Sequence, residues 1–483
     1  MQRLKSIVWL GMIGALLAAG CFEDKTTAPE VHLEEAQTKS HEAEEAFSTA
    51  LNHVRDMEEG GLKDVDFTQA NELYKEAIAL DPSNTEAQFG AGVTELLMLA
   101  QNADVQAVED SLRAFMGEGG EEGAEKPLLG VGMAPNAKRI AMMPKIVYRM
   151  GKNTLPAKRA RKTAKSAGEI RTVRDLQRII EETFIPAVDY ALARLTVVEN
   201  DPDFQFIFTP ELQGDAEEDS LELDLGEVYI LDAQLRTLKA FLLVAIAYNL
   251  DFDENGSYDF LQEEFSDAEI LRQLMRVDQD SDFLTLRSSD GMLPAGLNVL
   301  SAVEKLEASV AFIRAEEDDQ RDDLIRQRDL EDLDAEIDLS DQADVPDFLR
   351  DVDGIEQALS KLREVLSGPG DIDADFDGDG EEEILTVNLS AFFYAPVQDL
   401  KELLPYHKWF SENFENEEIY DDFALTDADG NNLGESDPPF VLPDPTFGGL
   451  LPDLTTNQAF FDFFDLPQEG GGGDFDLLGR SAP

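Results

Sequence analysis

"DFTQANELYKEAIALDPSNTEAQFGAGVTELLMLA", residues 66–100, decides the fold. In its first half Ala70, Tyr74 and Ala77 recur at intervals of four and three, which places them on one face of an α-helix. Asp81, Pro82 and Asn84 then break the period, because proline brings no N–H to the helix ladder and Asp and Asn favour turns. Beyond the turn the adjacent small residues Ala91 and Gly92 let a second helix approach the first closely. The stretch therefore predicts two helices folded back on each other. A single such hairpin cannot enclose a core, so later segments must supply its partners.

The offsets of Ala70, Tyr74, Ala77 and Pro82 resemble the second helix of a tetratricopeptide repeat, with Asp81, Pro82 and Asn84 as its turn. Ala91 and Gly92 resemble the small-residue contact in the first helix of the following repeat. The resemblance covers residues 67–96, about one repeat. It departs from the family at Glu95, where tyrosine is common, and in a longer preceding loop. It implies paired helices with Tyr74 filling the gap between them. Arrays of this kind present concave surfaces to a peptide, protein or small ligand.

Upstream, Ala43, Phe47, Ala50, Leu51 and Val54 line one face of an earlier helix, which Gly60 and Gly61 end. Downstream, residues 117–125 read as an acidic, Gly-rich loop. Residues 126–168 then hold eleven basic residues and no Asp or Glu, in a chain with 102 acidic residues. A basic segment with interleaved apolar pieces either docks on the protein's own acidic face, lies on an anionic membrane, or meets a partner. Helices are predicted over 172–201, 227–250, 266–277, 294–334 and 354–366, and a small hairpin from "DFQFIFTPELQG" and "SLELDLG". The segment 227–250 is the central core helix, its apolar run too short to span a bilayer. Beyond residue 383 a short strand and helix lead into irregular Pro-, Gly- and Phe-rich structure wrapped over the helical body.

The N-terminus carries a separate signal. Arg3 and Lys5 precede the apolar stretch "SIVWLGMIGALLA", and "LAAGC" ends on Cys21. This resembles the lipobox of bacterial lipoproteins, with Ala18 where leucine is more usual. The resemblance implies removal of residues 1–20, lipid attachment to Cys21, and a cell-envelope location. Phe22 in the second mature position favours the outer membrane over the inner.

The net charge of −63 repels phosphate backbones and argues against nucleic-acid binding. Cys21 is the only cysteine, so no intrachain disulfide, zinc–thiolate cluster or second thiol can form. His32, His41, His53 and His407 lack metal-site spacing. No nucleophile elbow, phosphate loop, dinucleotide fingerprint or H-E-x-x-H motif is present.

The one chemically pointed pattern is "DIDADFDGDGEEE", residues 371–383. Calcium takes six to eight hard oxygens, and alternate carboxylates on a tightly turned loop can deliver them. Asp373, Asp375, Asp377, Asp379 and Glu381, with Gly378 at the turn, form an abbreviated calcium loop rather than a full EF-hand, since the twelfth position is Ile384. Asp251, Asp253, Asn255 and Asp259, with Gly256, repeat the pattern at the end of the core helix. The competing reading is a pair of acidic turns.

The expected protein is mainly α: a helical-hairpin, tetratricopeptide-like array with a few short strands and an irregular C-terminal region. Its expected parts are a signal peptide (1–20), a tether (21–36), a tetratricopeptide-like region (37–116), a Gly-rich loop and basic insert (117–168), a helical domain with the acidic loop 251–259 (169–368), and an Asp-rich loop with irregular C-terminal structure (369–483). The expected role is a noncatalytic scaffold or binding protein, membrane-attached through Cys21, with an envelope protein or peptide as partner and calcium on its loops. Its rivals are a ligand-binding accessory lipoprotein of a transport system, marked by an enclosed apolar pocket, and an envelope hydrolase, marked by a cleft of converging carboxylates.

Overall fold

Tyr74 is fully buried, and its ring fills the space a side chain at residue 90 would need. That contact sits in a computed structural model that describes residues 32–56, 65–108, 172–210, 220–251, 282–316, 325–337, 354–374, 383–403, 406–407, 440–441, 443–456 and 459. Three helices build the N-terminal part: α1 (Leu33–Asp56), α2 (Thr68–Leu80) and α3 (Thr85–Leu99). On α1 the residues Ala43, Phe47 and Ala50 are buried, and on α2 Ala70, Tyr74 and Ala77, two copies of one spacing. Phe47 and Phe67 meet with ring centroids 5.9 Å apart. Lys39, early on α1, reaches Glu76, late on α2, so the two helices run antiparallel.

After residues 109–171, α4 (Val173–Ile179) opens on a capping box made by Thr172 and Asp175. It leads through a π-helical turn (Ile180–Phe184) into α5 (Ile185–Val198). The bulge has a local cause. Pro186 has no N–H to give the carbonyl four residues back, and the Ile185 N–H bonds Ile180 O instead. The 172–201 segment is therefore helical but not one regular α-helix.

β1 (Phe206–Phe208) and β2 (Leu221–Leu223) pair antiparallel, as the alternating phenylalanines predict. Phe206 and Phe208 turn inward and Ile207 outward. α6 (Leu225–Ala247) is the expected core helix, capped by Asp224 and Glu227. It pairs with α7 (Met292–Ala315): Ser309 Oγ donates to Gly226 O at 2.8 Å near one end, and Gly291 abuts Leu243 at the other. The expected helix over 294–334 is two. α7 ends where Glu316 turns extended, and α8 (Gln327–Ile337) begins after residues 317–324, which lie outside the described set. The stretch "EEDDQRDD" there concentrates like charge, and the Glu316 backbone already leaves the helix. The expected helix at 266–277 lies outside the described residues.

α9 (Ile355–Ser367) is followed by β3 (Gly370–Ala374) and β4 (Glu383–Val387), an antiparallel pair with Asp371 opposite Thr386 and Asp373 opposite Ile384. α10 (Leu389–Tyr394) packs its Phe393 against Gly296 of α7. β5 (Tyr406–His407) pairs with β6 (Phe440–Val441). The C-terminal turns at 443–456 are tied down by Asn388 N–H to Leu450 O, 2.8 Å, and by the buried Leu454.

The described chain is mainly helical with a few short strands, as expected. α1, α2, α3, α5, α6 and α7 pack in chain order, each on the one before it. The main core runs through α3, α5, the β1–β2 hairpin, α6 and α7 to α8 and α9. A second core unites α1, α2 and α3. No described helix is long and apolar enough to cross a membrane.

Candidate functional site

Two helix ends repeat one turn. At the end of α2, Asp81 N–H bonds Ala77 O at 2.8 Å, Pro82 follows, Ser83 N–H bonds Asp81 Oδ1 at 3.0 Å, and Asn84 N–H returns to Asp81 O at 3.1 Å. At the end of α5, Asp201 N–H bonds Val198 O at 2.9 Å, Pro202 follows, Asp203 N–H bonds Asp201 Oδ1 at 3.2 Å, and Phe204 N–H returns to Asp201 O at 3.2 Å. An aspartate that caps its own backbone two residues on, followed by proline, is a compact helix stop. The two turns meet: Thr85 Oγ1, just past the first, donates to Asp201 Oδ2 of the second at 2.9 Å. The sequence reading used the first turn and missed the second, although "DPD" at 201–203 repeats "DPS" at 81–83.

Between these turns lies a polar seam of α2, α3 and α5. Gln88, almost wholly buried, donates to Pro82 O at 2.7 Å and accepts from Arg194 at 3.0 Å. The Arg194 guanidinium and the Lys75 ammonium each lie 4.9 Å from the centre of the Tyr190 ring. Burial pushes the Tyr190 phenol up, while Lys75 and Arg194 pull against it. Lys75 pairs with Glu95 at 2.8 Å, and Asn71 donates to Thr94 Oγ1 at 2.9 Å and to Glu95 at 3.3 Å. Glu95, the departure from the repeat pattern, thus receives both Lys75 and Asn71.

A second polar group lies between α5, α6 and α7. Lys305 Nζ meets Glu199 at 2.6 Å and sits 5.3 Å from the Tyr229 ring centre. Asp232, fully buried, pairs with Arg236 one turn on. Burial, and then the nearby Asp232 charge, raise the Glu199 carboxyl, against the pull of Lys305. With two cations for two carboxylates, the group is electrically balanced and suits holding helices together.

The predicted calcium residues are only partly in view. Asp251 sits at the mouth of the segment 252–281, 3% exposed, and its N–H bonds Asn249 Oδ1 at 3.3 Å. The mouth is closed by backbone pairing: Asn249 N–H to Thr285 O at 2.8 Å, Leu284 N–H to Asn249 O at 2.7 Å, and Leu286 N–H to Gln398 O at 2.8 Å. Lys401, buried, donates to Phe283 O at 2.6 Å. Gln177 donates to Ala245 O and Tyr248 O, both at 2.7 Å, and accepts from Arg287 at 2.7 Å, fastening α4 to the same base. Asp253, Asn255 and Asp259 lie outside the described residues.

Asp373 falls in β3, so residues 375–382 link two paired strands: the strand after residue 383 was expected, the one before the link was not. Thr386 Oγ1 donates to Asp371 Oδ1 across that pair at 3.1 Å. Asp375, Asp377, Asp379, Glu381 and Cys21 lie outside the described residues. Among the described residues no group of three or more His, Cys, Asp or Glu is placed to hold a metal ion. His32 and His41 are exposed beside glutamates of their own helix.

No family model, no curated protein and no solved structure matches this chain.

Proposed function

We propose that the chain is a noncatalytic, lipid-anchored scaffold or binding protein of the bacterial cell envelope, built on tetratricopeptide-like helical hairpins. The observation that carries this reading is the repeated Asp–Pro turn at the ends of α2 and α5, interlocked through Thr85 and Asp201. Small residues at the crossings support it. A Cβ at Gly92 would meet Arg194 Cβ at 3.4 Å and the Ala191 backbone at 3.6 Å, ordinary contact distances, so small residues line the crossing of α3 and α5. Each hairpin rests on its neighbours, which is the economy of a repeat array and gives an extended surface for a peptide or protein partner.

The anchor is Cys21, attached through the tether that precedes α1. Two acidic loops, at 251–259 and 371–383, take calcium. Their donors are the hard oxygens that calcium prefers, and each loop springs from a fixed base: the paired strands β3 and β4, and the closed mouth at Asn249 and Thr285. Bound calcium would offset the repulsion among the carboxylates and stiffen each loop.

Metabolic labelling with an alkynyl fatty acid, followed by envelope fractionation, tests the anchored scaffold. The labelled chain should appear in the outer-membrane fraction, and Cys21→Ala should lose both label and membrane attachment. An unlabelled chain that washes free of membranes overturns the anchor. A structure with an enclosed apolar pocket occupied by a small molecule would favour the accessory transport protein instead.

A further inference from the structure

Two buried hydroxyls of the N-terminal core have no hydrogen-bond partner among the described residues: Ser40 Oγ on α1 and Tyr74 OH on α2, 1% and 0% exposed. They lie in one place. Lys39 reaches Glu76 at 3.5 Å, and because α1 and α2 run antiparallel, this register sets Tyr74 level with the turn of α1 that carries Ser40 and Glu44. The tip of the Tyr74 ring, Cζ, fills the place of a Cβ at Gly90, and Glu86 stands one turn before Gly90 on the same face of α3. The charges of Glu44 and Glu86 both act on the Tyr74 phenol, and the Glu86 charge acts on Glu44. Three helices thus bring two carboxylates and two hydroxyls together. The carboxylates open to solvent, since the Glu44 side chain is 31% exposed and Glu86 is exposed, and the hydroxyls lie buried behind them. His41 is the cation on this edge, with Nδ1 3.6 Å from Glu44 and Nε2 3.6 Å from Glu45.

We propose that Glu44, Glu86 and the Tyr74 hydroxyl form a receptor for the lysine ammonium of a bound peptide, with Ser40 at its base. The inference deepens the binding role proposed above and rests on it for the partner being a peptide. An ammonium carries three N–H donors on one compact charge. It meets a carboxylate of α1, a carboxylate of α3 and the phenolic oxygen of α2. It offsets the repulsion between the two carboxylates and gives the buried phenol a partner. A water molecule would satisfy the hydroxyls but leave the carboxylates facing each other. A guanidinium suits the two coplanar oxygens of one carboxylate better than three acceptors on three helices.

Titration calorimetry of the detergent-solubilised full chain with the peptide acetyl-Gly-Gly-Lys-Gly-Gly-amide tests this. It is done at about 0.15 M salt, where exposed charges are screened beyond roughly 8 Å. Binding should saturate at one site, and the same peptide with its lysine Nε-acetylated should not bind. Glu44→Gln and Glu86→Gln should each weaken binding about tenfold, and Tyr74→Phe, which keeps every charge, about threefold or more. Glu45→Gln removes the same charge from the same helix at a side chain 72% exposed, and it should leave binding unchanged. A variant with Lys158, Arg159, Arg161 and Lys162 neutralised separates two sources of the ammonium: tighter peptide binding than in the wild type assigns it to the chain's own basic residues, and equal binding to a partner. The receptor is overturned by no saturable binding in either the wild type or that variant, by equal binding of the acetylated peptide, by equal losses in Glu44→Gln and Glu45→Gln, or by full affinity in Tyr74→Phe. The fatty-acid label at Cys21 reads the anchor separately, so the receptor can fail while the anchored scaffold stands.

Discussion

Replacing Gly90 by alanine sets two effects of opposite sign against each other. In an open helix the change is favourable by roughly 1 kcal/mol, because alanine is the better helix former. At this position an ideal Cβ would lie 2.2 Å from Tyr74 Cζ and 2.4 and 2.5 Å from two further ring carbons. Ordinary carbon contacts begin near about 3.5 Å, so ring or helix must move by more than about 1 Å. Tyr74 is fully buried, so its ring cannot move aside without displacing the side chains packed on it. Overpacking of this kind costs about 1–3 kcal/mol, and a forced backbone shift puts it at the upper end.

The net expectation for Gly90→Ala is therefore a loss of about 1–2 kcal/mol, read as a lower urea midpoint with an unchanged slope. Tyr74→Leu should relieve the clash, so the double variant should be more stable than the two single losses add up to, by about 1 kcal/mol or more. Gly90→Ala that matched or exceeded the wild type would refute the close packing of α2 on α3. Tyr74→Phe gives an independent check. The hydroxyl is buried with no hydrogen-bond partner among the described residues, and burial with the charges of Glu44 and Glu86 pushes its pKa far up. Removing it should stabilise by about 1 kcal/mol.

Three further outcomes are expected. With a dissociation constant of about 0.1 mM, 1 mM calcium should stabilise the protein by about 1.4 kcal/mol per site, magnesium much less, and Asp375→Ala and Asp253→Ala should each remove about half; identical melts in EDTA, calcium and magnesium would leave both loops as solvated turns. Glu199 has a folded pKa raised above its unfolded value, so its contribution is fully present below about pH 4.5 and is lost as pH rises through the folded value. Comparing wild type with Glu199→Gln across pH 4–8 should show a shallower decline in the variant, and parallel curves would dismiss Glu199 as a source. The lipid-free protein should ignore anionic vesicles at about 0.15 M salt if residues 126–168 dock on its own acidic surface, whereas co-sedimentation abolished by neutralising Lys158, Arg159, Arg161 and Lys162 would place them on the membrane.

Helices were legible where a single face is apolar, because a 3.6-residue period is written directly in the chain. α2 and α3 follow from Ala70, Tyr74, Ala77 and the Asp81–Pro82 stop, and the β1–β2 pair from alternating phenylalanines. Register and tertiary bonding were not legible. Nothing local announces that Glu227 serves Ile325, that Arg194 reaches Gln88, or that Gln177 closes the base of the 252–281 segment, since each partner lies about 70 to 110 positions away in sequence. β3 was hidden by its own chemistry. Aspartates are poor strand formers, and the alternation "DIDAD" reads as a ligand pattern before it reads as a pleat. The division of 294–334 into α7 and α8 falls at a charged run whose aspartates are poor helix formers, a signal outweighed in the reading by the apolar period before it.

The stacking of α2, α3 and α5 carries both the architecture and the proposed scaffold role, and the bond between Thr85 and Asp201 joins the two repeated turns directly. A double-mutant cycle on Thr85→Val and Asp201→Ala by urea unfolding measures that bond. If the turns interlock, the cycle should give a coupling energy of about 1–3 kcal/mol, the worth of one hydrogen bond to a charged acceptor after screening at a part-buried site. Strictly additive effects, with coupling indistinguishable from zero, would mean that the two Asp–Pro turns do not meet and that α2, α3 and α5 are not stacked as consecutive hairpins.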